Sequence, residues 1–279
     1  MGNLLTDSEL FIFDLDGTLY EDTDHFEYYA EQLKQELPEA LWPEFSKEYE
    51  KIVAGEHIVT IGKVYDVVRD HVLKVDSMDS TVIQAWKWTG VELEENEVRT
   101  LYPHPISFDF DSMIAIGDGW WLPNVCARHY GVVDTHTSYV KTKNFMATDQ
   151  FQLTKIPGLR EALLNLREKK QLVLLTNSQE DDVHRLLQLL DLVGIFKEVI
   201  TEARKPQYTK NHFARLLEHY QISPEKVLSI GDNYVNEIAP AIHLQMQTIF
   251  IDFFELDYPE YTGVKVKSIS DIIMEMKSV

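Results

Sequence analysis

The stretch FIFDLDGTLY, residues 11–20, decides how the rest of the sequence is interpreted. From residue 10 to residue 15 the chain is apolar except at Asp14, a pattern typical of a strand buried on both faces of a parallel sheet. Residues 16–18, Asp-Gly-Thr, predict a turn directly after that strand. Ligands of open parallel sheets bind at the carboxyl ends of the strands, so the stretch also predicts the position of a site.

A regular alternation of helices and strands begins near Ile156 and continues through the rest of the chain. The predicted helices are residues 159–169, 181–190, 211–220, 235–244 and 270–276, and the predicted strands are residues 171–175, 198–200, 227–230 and 247–251. Strands that alternate with helices predict a parallel sheet. The fold class is therefore α/β, with a Rossmann-like sheet and helices on both faces, built from residues 1–20 and 156–279.

Residues 21–155 separate the first strand from this series, and they are far longer than the few residues that usually connect two elements. We therefore predict an inserted domain. Between residues 24 and 74 apolar residues recur at helical intervals, and they include Phe26, Tyr29, Leu33, Val64, Val67, Val68 and Val72. Residues 78–155 mix tryptophans with short polar segments and are interpreted as helix and loop. The inserted domain is thus predicted to be mainly helical.

Composition excludes several kinds of partner. The 279 residues carry a formal net charge of -20 at pH 7, and no cluster of Lys and Arg occurs along the chain. Nucleic acids and anionic membranes are bound through such clusters, so we expect neither as a partner. The single cysteine, Cys126, excludes a disulfide within the chain, and the sequence contains no apolar run of about 18 residues and no signal-peptide pattern. We expect a cytoplasmic protein of undetermined oligomeric state.

Two carboxylates, Asp14 and Asp16, lie two residues apart at the end of the predicted strand. In an extended segment their side chains share one face, and two close carboxylates repel unless a cation lies between them or one holds a proton. Both conditions suit phosphoryl transfer. The alternative is structural, with one aspartate capping a helix and the other closing a turn.

The pattern DxDGT at residues 14–18 resembles the first signature of the haloacid dehalogenase superfamily. The resemblance implies that Asp14 is a nucleophile, that Asp16 is an acid and base, and that Gly17 contacts the substrate. Relatives that cleave carbon–halogen bonds generally lack the second aspartate, so Asp16 favours phosphoryl transfer. The resemblance also implies that the inserted domain is a cap that excludes water and selects the substrate.

Two later motifs follow in the order that the resemblance implies. Thr176, in the sequence LVLLTNS, matches the second signature. The resemblance implies that Thr176 and Asn177 contact a phosphoryl oxygen. Lys205 precedes a proline as in the third signature and would offset the crowded negative charge. The spacing to the following helix departs from the common form, so Lys210 or Arg204 could fill this role instead.

The last motif is an acidic loop in the sequence VLSIGDNYVNEI, residues 227–238. It resembles the family pattern GDxxxxD, with Glu237 in place of the second aspartate. Carboxylate and carbonyl oxygens are the ligands that Mg²⁺ prefers, so Mg²⁺ is expected to bind Asp14, Asp232 and the backbone carbonyl of Asp16. Glu237 is expected to meet the metal through water or to hold the lysine.

The sequence therefore predicts a magnesium-dependent phosphatase that hydrolyses a small phosphorylated metabolite through an aspartyl-phosphate. A phosphosugar mutase and a non-catalytic binding protein on the same scaffold remain open as alternatives. In the inserted domain, Arg128 and its neighbours Trp120, Trp121 and His129 are candidates for leaving-group contacts. The tryptophans could equally form the hydrophobic interior of that domain.

Overall fold

The computed structural model describes residues 2–76, 79–256, 258 and 261–279. The chain divides into two compact units. The first, which we call the core unit, comprises Met1–Asp22 and Leu153–Val279. The second, which we call the inserted unit, is Thr23–Gln152.

The core unit alternates strands with helices after its first strand. Its strands are β1 (Leu10–Phe13), β6 (Gln171–Leu175), β7 (Glu198–Ile200), β8 (Val227–Gly231), β9 (Gln247–Ile251) and β10 (Val264–Val266). Its α-helices are α1 (Gly2–Asp7), α7 (Leu159–Arg167), α8 (Glu180–Leu189), α9 (Thr209–Tyr220), α10 (Ala239–His243) and α11 (Ile273–Ser278). Short turns of 3₁₀-helix cover Pro224–Lys226 and Ile269–Ile272, and a π-helical turn covers Tyr234–Ile238.

The six strands of the core unit form a parallel sheet with the order β10-β9-β8-β1-β6-β7. All residues of β1 are buried, as expected for a strand covered on both faces. β1 ends at Phe13, two residues earlier than predicted, and this places Asp14 beyond the last ladder residue. The sequence missed α1 and β10, which are short.

Alternate residues of β1 point to opposite faces of this sheet, and helices cover both faces. Phe11 and Phe13 belong to a hydrophobic cluster that includes residues of α7, α8 and α11. Leu10 and Ile12 belong to another cluster, which includes residues of α9 and α10. The predicted fold class, an α/β core with a Rossmann-like parallel sheet, is confirmed.

The inserted unit combines helices with a small sheet. Its α-helices are α2 (Asp24–Gln35), α3 (Trp42–Val53), α4 (Glu95–Leu101), α5 (Trp121–His129) and α6 (His136–Met146), and a 3₁₀ turn covers Glu39–Leu41. Its strands are β2 (Val64–Asp66), β3 (His71–Val75), β4 (Val82–Lys87) and β5 (Met113–Ala115). They form an antiparallel sheet with the order β4-β3-β2-β5.

The prediction of helix across Val64–Val72 is wrong, because this segment is two strands joined by a turn. Val64 pairs with Leu73 across β2 and β3. In the turn, the buried carboxylate of Asp66 accepts hydrogen bonds from the backbone N–H groups that follow it, and Val68 is 76% exposed. The helical spacing of the valines is therefore coincidental. β-branched residues favour strands, and here that preference prevails.

Among the residues that the structure describes, no helix combines the length and the apolar character that crossing a membrane requires.

Candidate active site

Three neighbouring strands of the core sheet end in the residues of the predicted motifs. Asp14 follows β1, Thr176 follows β6, and Asp232 follows β8. Phe13, the last residue of β1, lies opposite Leu174 and Ile230 of its two neighbours. Because the strands are parallel and in this register, the three polar residues meet at one edge of the sheet.

A buried lysine links the first and last motifs. The Nζ atom of Lys205 lies 2.7 Å from Oδ1 of Asp14 and 2.5 Å from Oε1 of Glu237. The three residues are 2%, 7% and 3% exposed, respectively. Lys210 and Arg204, the two alternatives that the sequence left open, are both exposed. The lysine that contacts Asp14 is therefore the one before the proline.

The charges of this cluster are strongly coupled. Burial raises the pKa of Asp14, Lys205 lowers it, and the charge of Asp16 raises it further. Burial also raises the pKa of Glu237, to about 8, although Lys205 acts in the opposite direction. Burial alone would lower the pKa of Lys205, but the attraction of the two carboxylates outweighs it and raises the pKa. The ammonium of Lys205 thus lies between two buried carboxyl groups and interacts with both of them.

Glu237 is held from two sides. Besides the contact with Lys205, its Oε2 accepts a hydrogen bond from the backbone N–H of Asn233 at 3.0 Å. Gly231 makes room for this side chain, since a Cβ atom there would lie 2.7 Å from Cγ of Glu237. Both carboxylate oxygens accept from donors of the chain, which favours the role of holding the lysine.

Oxygen ligands for a divalent cation lie at the same edge. One carboxylate oxygen each from Asp14, Asp232 and Glu237 can be chosen so that all three lie within 4.8 Å of one another. Gly17, with φ of +74°, packs against Asp232 so closely that a Cβ atom would lie 2.2 Å from its Oδ2. A cluster of carboxylate oxygens fits Mg²⁺, which binds hard oxygen ligands.

The carboxylate of Asp16 accepts hydrogen bonds from two hydroxyl groups. The hydroxyl of Tyr20 lies 2.5 Å from its Oδ1, and Oγ of Ser178 lies 2.9 Å from its Oδ2. Neither donor was predicted from the sequence. Tyr20 ends the first motif and could have been considered, whereas Ser178 lies 162 positions from Asp16 and no local pattern connects them.

Thr176 and Asn177 organise the loop after β6. The backbone N–H of Ser178 donates to Oγ1 of Thr176 at 3.1 Å. The side-chain amide of Asn177 donates to the carbonyl oxygen of Lys205 at 3.0 Å and accepts from its backbone N–H at 2.7 Å. Asn177 was predicted to contact the substrate. In the structure its side-chain amide is instead hydrogen-bonded to the backbone of Lys205, so it holds that backbone in place.

The candidates from the inserted unit contact residues of that unit. Nε of Arg128 donates to Asn124 at 3.3 Å, and its NH2 group donates to the carbonyl oxygen of Phe110. The ring of His129 stacks on Trp88 with centroids 4.0 Å apart. Trp120 contacts the rings of Phe26, Tyr29 and Tyr139, and Trp121 stacks on Phe110. For Trp120 the interpretation as interior packing is favoured.

Comparison with known proteins agrees with the fold and the order of the motifs. Residues 125–251 match the family model of haloacid dehalogenase-like hydrolases. The matched range contains Thr176, Lys205, Asp232 and Glu237, whereas Asp14 belongs to the earlier DxDGT pattern. Residues 125–251 are therefore similar to haloacid dehalogenase-like hydrolases, and the parallel sheet agrees with that likeness.

Individual relatives are distant. A glyceraldehyde 3-phosphate phosphatase of Pyrococcus furiosus is 22% identical over 130 residues, which cover 43% of this chain and 54% of the relative. The chain therefore matches about half of the length of this curated relative.

Two solved structures share the fold. A Bacillus subtilis protein assigned as the HAD-hydrolase YfnB, bound to magnesium, superimposes with a TM-score of 0.53 and 14% identity, covering 96% of this chain and 98% of that one. A Thermotoga maritima protein assigned as a beta-phosphoglucomutase gives 0.50 and 18%, covering 97% of this chain and 99% of that one. At these identities the likeness shows the fold alone.

Proposed function

We propose that this chain is a magnesium-dependent phosphatase that hydrolyses a small phosphate ester through a covalent intermediate on Asp14. The observation that carries the proposal is the buried contact of Lys205 with Asp14 and Glu237 at the carboxyl edge of the sheet. Burying this many charges is costly, and active sites are where such arrangements are commonly found. The likeness to a phosphatase of a three-carbon phosphate supports the substrate class.

Asp14 is the nucleophile in this scheme. One of its carboxylate oxygens attacks phosphorus, and the bond between phosphorus and the leaving oxygen breaks. Asp16 gives its proton to the leaving oxygen, which departs as an alcohol. Asp16, now a carboxylate, then takes a proton from the water that attacks phosphorus, so that Asp14 is released with inorganic phosphate. Proton transfer of this kind contributes about 10² to 10⁴ in rate.

The other residues hold the charge in place. Lys205 offsets the charge of Asp14 and keeps its carboxylate in one position, and Glu237 in turn holds the ammonium. A bound Mg²⁺ would be held by Asp14, Asp232 and the backbone carbonyl of Asp16, and it would supply positive charge where the phosphate approaches the carboxylates. The hydroxyl of Thr176, after β6, is the candidate for contact with a phosphoryl oxygen, because the backbone N–H of this residue donates to the carbonyl oxygen of Ile200.

The test is release of inorganic phosphate from a panel of esters, with Mg²⁺ and with a chelator. The panel holds glyceraldehyde 3-phosphate, phosphoglycolate, hexose phosphates and nucleoside monophosphates. We expect release that requires Mg²⁺ and disappears in Asp14→Asn. Isomerisation of a hexose phosphate without release would favour the mutase. If the wild type and Asp14→Asn bound an ester with equal affinity and neither turned it over, the non-catalytic alternative would be favoured.

The cytoplasmic location remains a prediction.

A further inference from the structure

The two hydroxyl groups that donate hydrogen bonds to Asp16 come from separate parts of the core unit. Tyr20 lies four residues after Asp16 in the first motif, and Ser178 lies in the loop after β6. Both donors are buried, at 1% and 5% exposure. Each oxygen of the Asp16 carboxylate accepts from one of them, so both ends of the carboxylate are fixed.

Each donor is itself held by the chain. Asp16 and Tyr20 form an isolated β-bridge, and the tyrosine ring is among the largest fully buried side chains that the structure describes. Ser178 donates its backbone N–H to Thr176, and its carbonyl oxygen accepts from the N–H of Glu202. A hydroxyl is costly to bury unless it has a partner, so both side chains favour the conformation in which they meet the aspartate.

We propose that Tyr20 and Ser178 are positioning residues that hold the Asp16 carboxylate in the orientation from which it transfers a proton. The inference rests on the proposed function, in which Asp16 is the acid and the base. An aspartate side chain has alternative rotamers, and proton transfer requires the carboxylate within about 2.6 to 3.2 Å of its target. Without the hydroxyl donors the carboxylate would spend less time in the productive rotamer.

The leaving group offers a measurement that a purely structural role would not move. Phenyl phosphate and p-nitrophenyl phosphate are similar in shape, but nitrophenolate leaves readily without a proton and phenolate does not. A defect in the position of the acid should therefore slow cleavage of phenyl phosphate more than cleavage of p-nitrophenyl phosphate. A general loss of folding or of substrate binding should affect both esters alike.

The experiment measures kcat/KM for both esters with Mg²⁺ in the wild type, Tyr20→Phe and Ser178→Ala, because kcat/KM reports only the steps up to departure of the leaving group and not the later hydrolysis of the shared aspartyl-phosphate. For Tyr20→Phe we expect kcat/KM on phenyl phosphate to fall about 10-fold or more, which is a part of the full effect of an acid. On p-nitrophenyl phosphate the fall should be less than about 3-fold. Ser178→Ala, which removes one oxygen atom, should shift the ratio of the two rates in the same direction, and it keeps the test decisive if Tyr20→Phe does not fold.

Tyr261→Phe is the matched control. Tyr261 is also a buried tyrosine of the core unit, and its hydroxyl is hydrogen-bonded to Thr248 at 3.0 Å rather than to Asp16. Its ring contacts Tyr234 of the acidic loop, and the substitution keeps that ring. Its ratio of the two rates should equal that of the wild type.

The outcomes separate this inference from the proposed function. Equal losses on both esters, or no loss, in Tyr20→Phe and Ser178→Ala would overturn the inference and leave the proposed function standing, provided that Asp14→Asn is inactive. Phosphate release that persists in Asp14→Asn would overturn both.

Discussion

The buried contact of Lys205 with two carboxylates predicts a large loss of stability when the ammonium is removed. In Lys205→Met the apolar stem is retained, but Asp14 and Glu237 remain buried without their cation. Removing one partner of a buried ion pair costs about 3 to 5 kcal/mol. The pKa of Lys205 is raised above its ordinary value of 10.5, so its ammonium is fully charged at pH 7.5.

The assay is urea unfolding at pH 7.5 in the presence of a chelator, with Lys210→Met as the control. Lys210 is exposed, so its replacement should change the free energy of unfolding by no more than about 0.5 kcal/mol. Adding Glu237→Gln to Lys205→Met removes one of the two uncompensated acids. The double variant should therefore be more stable than the sum of the single effects predicts. A loss below about 1 kcal/mol in Lys205→Met, or equal losses in the two lysine variants, would refute the reasoning.

Three further predictions concern the site and the inserted unit. Gly17→Ala forces a Cβ atom against Asp232 at positive φ, so calorimetric titration should show weaker Mg²⁺ binding than in the wild type. Asn177→Ala leaves two backbone groups of Lys205 unpaired and should lower the free energy of urea unfolding by about 1 to 3 kcal/mol. Burial would raise the pKa of Asp109, but hydrogen bonds from the loop that follows lower it to about 2. Its stabilising effect is present above the ordinary value of 3.8 and lost as the pH falls towards 2, so the difference in urea midpoint between Asp109→Asn and the wild type should vanish over that range.

The core unit could be predicted because its strands are short apolar runs bounded by charged or turn residues. The predicted bounds of three strands, residues 171–175, 198–200 and 247–251, agree with the structure residue for residue. Strands buried on both faces leave this continuous pattern, which is hard to confuse with an amphipathic helix. The order of strands and helices then fixed the class of sheet.

The sheet of the inserted unit could not be predicted by the same reasoning. Its strands are three to six residues long, and β2 and β3 are joined by a turn in which Val68 faces solvent. Together with Val64 and Val72, this exposed residue imitates a helical repeat. The turn depends on the left-handed conformation of Asp70, with φ of 55°, which no periodicity reveals.

For the site, the sequence predicts which residues lie close together only when those residues directly follow strands of the sheet. Asp14 and Asp232 follow neighbouring strands of a parallel sheet, so their approach follows from topology. The contact between Ser178 and Asp16 depends on side-chain rotamers in two loops, and nothing in the local sequence encodes it. The chemical roles of these residues remain predictions.

The most direct test of the account is to trap the phosphorylated aspartate. In Asp16→Asn, p-nitrophenyl phosphate should still phosphorylate Asp14, because its leaving group needs no proton, while hydrolysis of the intermediate should slow for want of a base. After mixing with Mg²⁺ and this ester and quenching in acid, peptide mass spectrometry should find one phosphoryl group on Asp14. Phosphate release without any modification of Asp14, or a phosphoryl group on a different residue, would contradict the account.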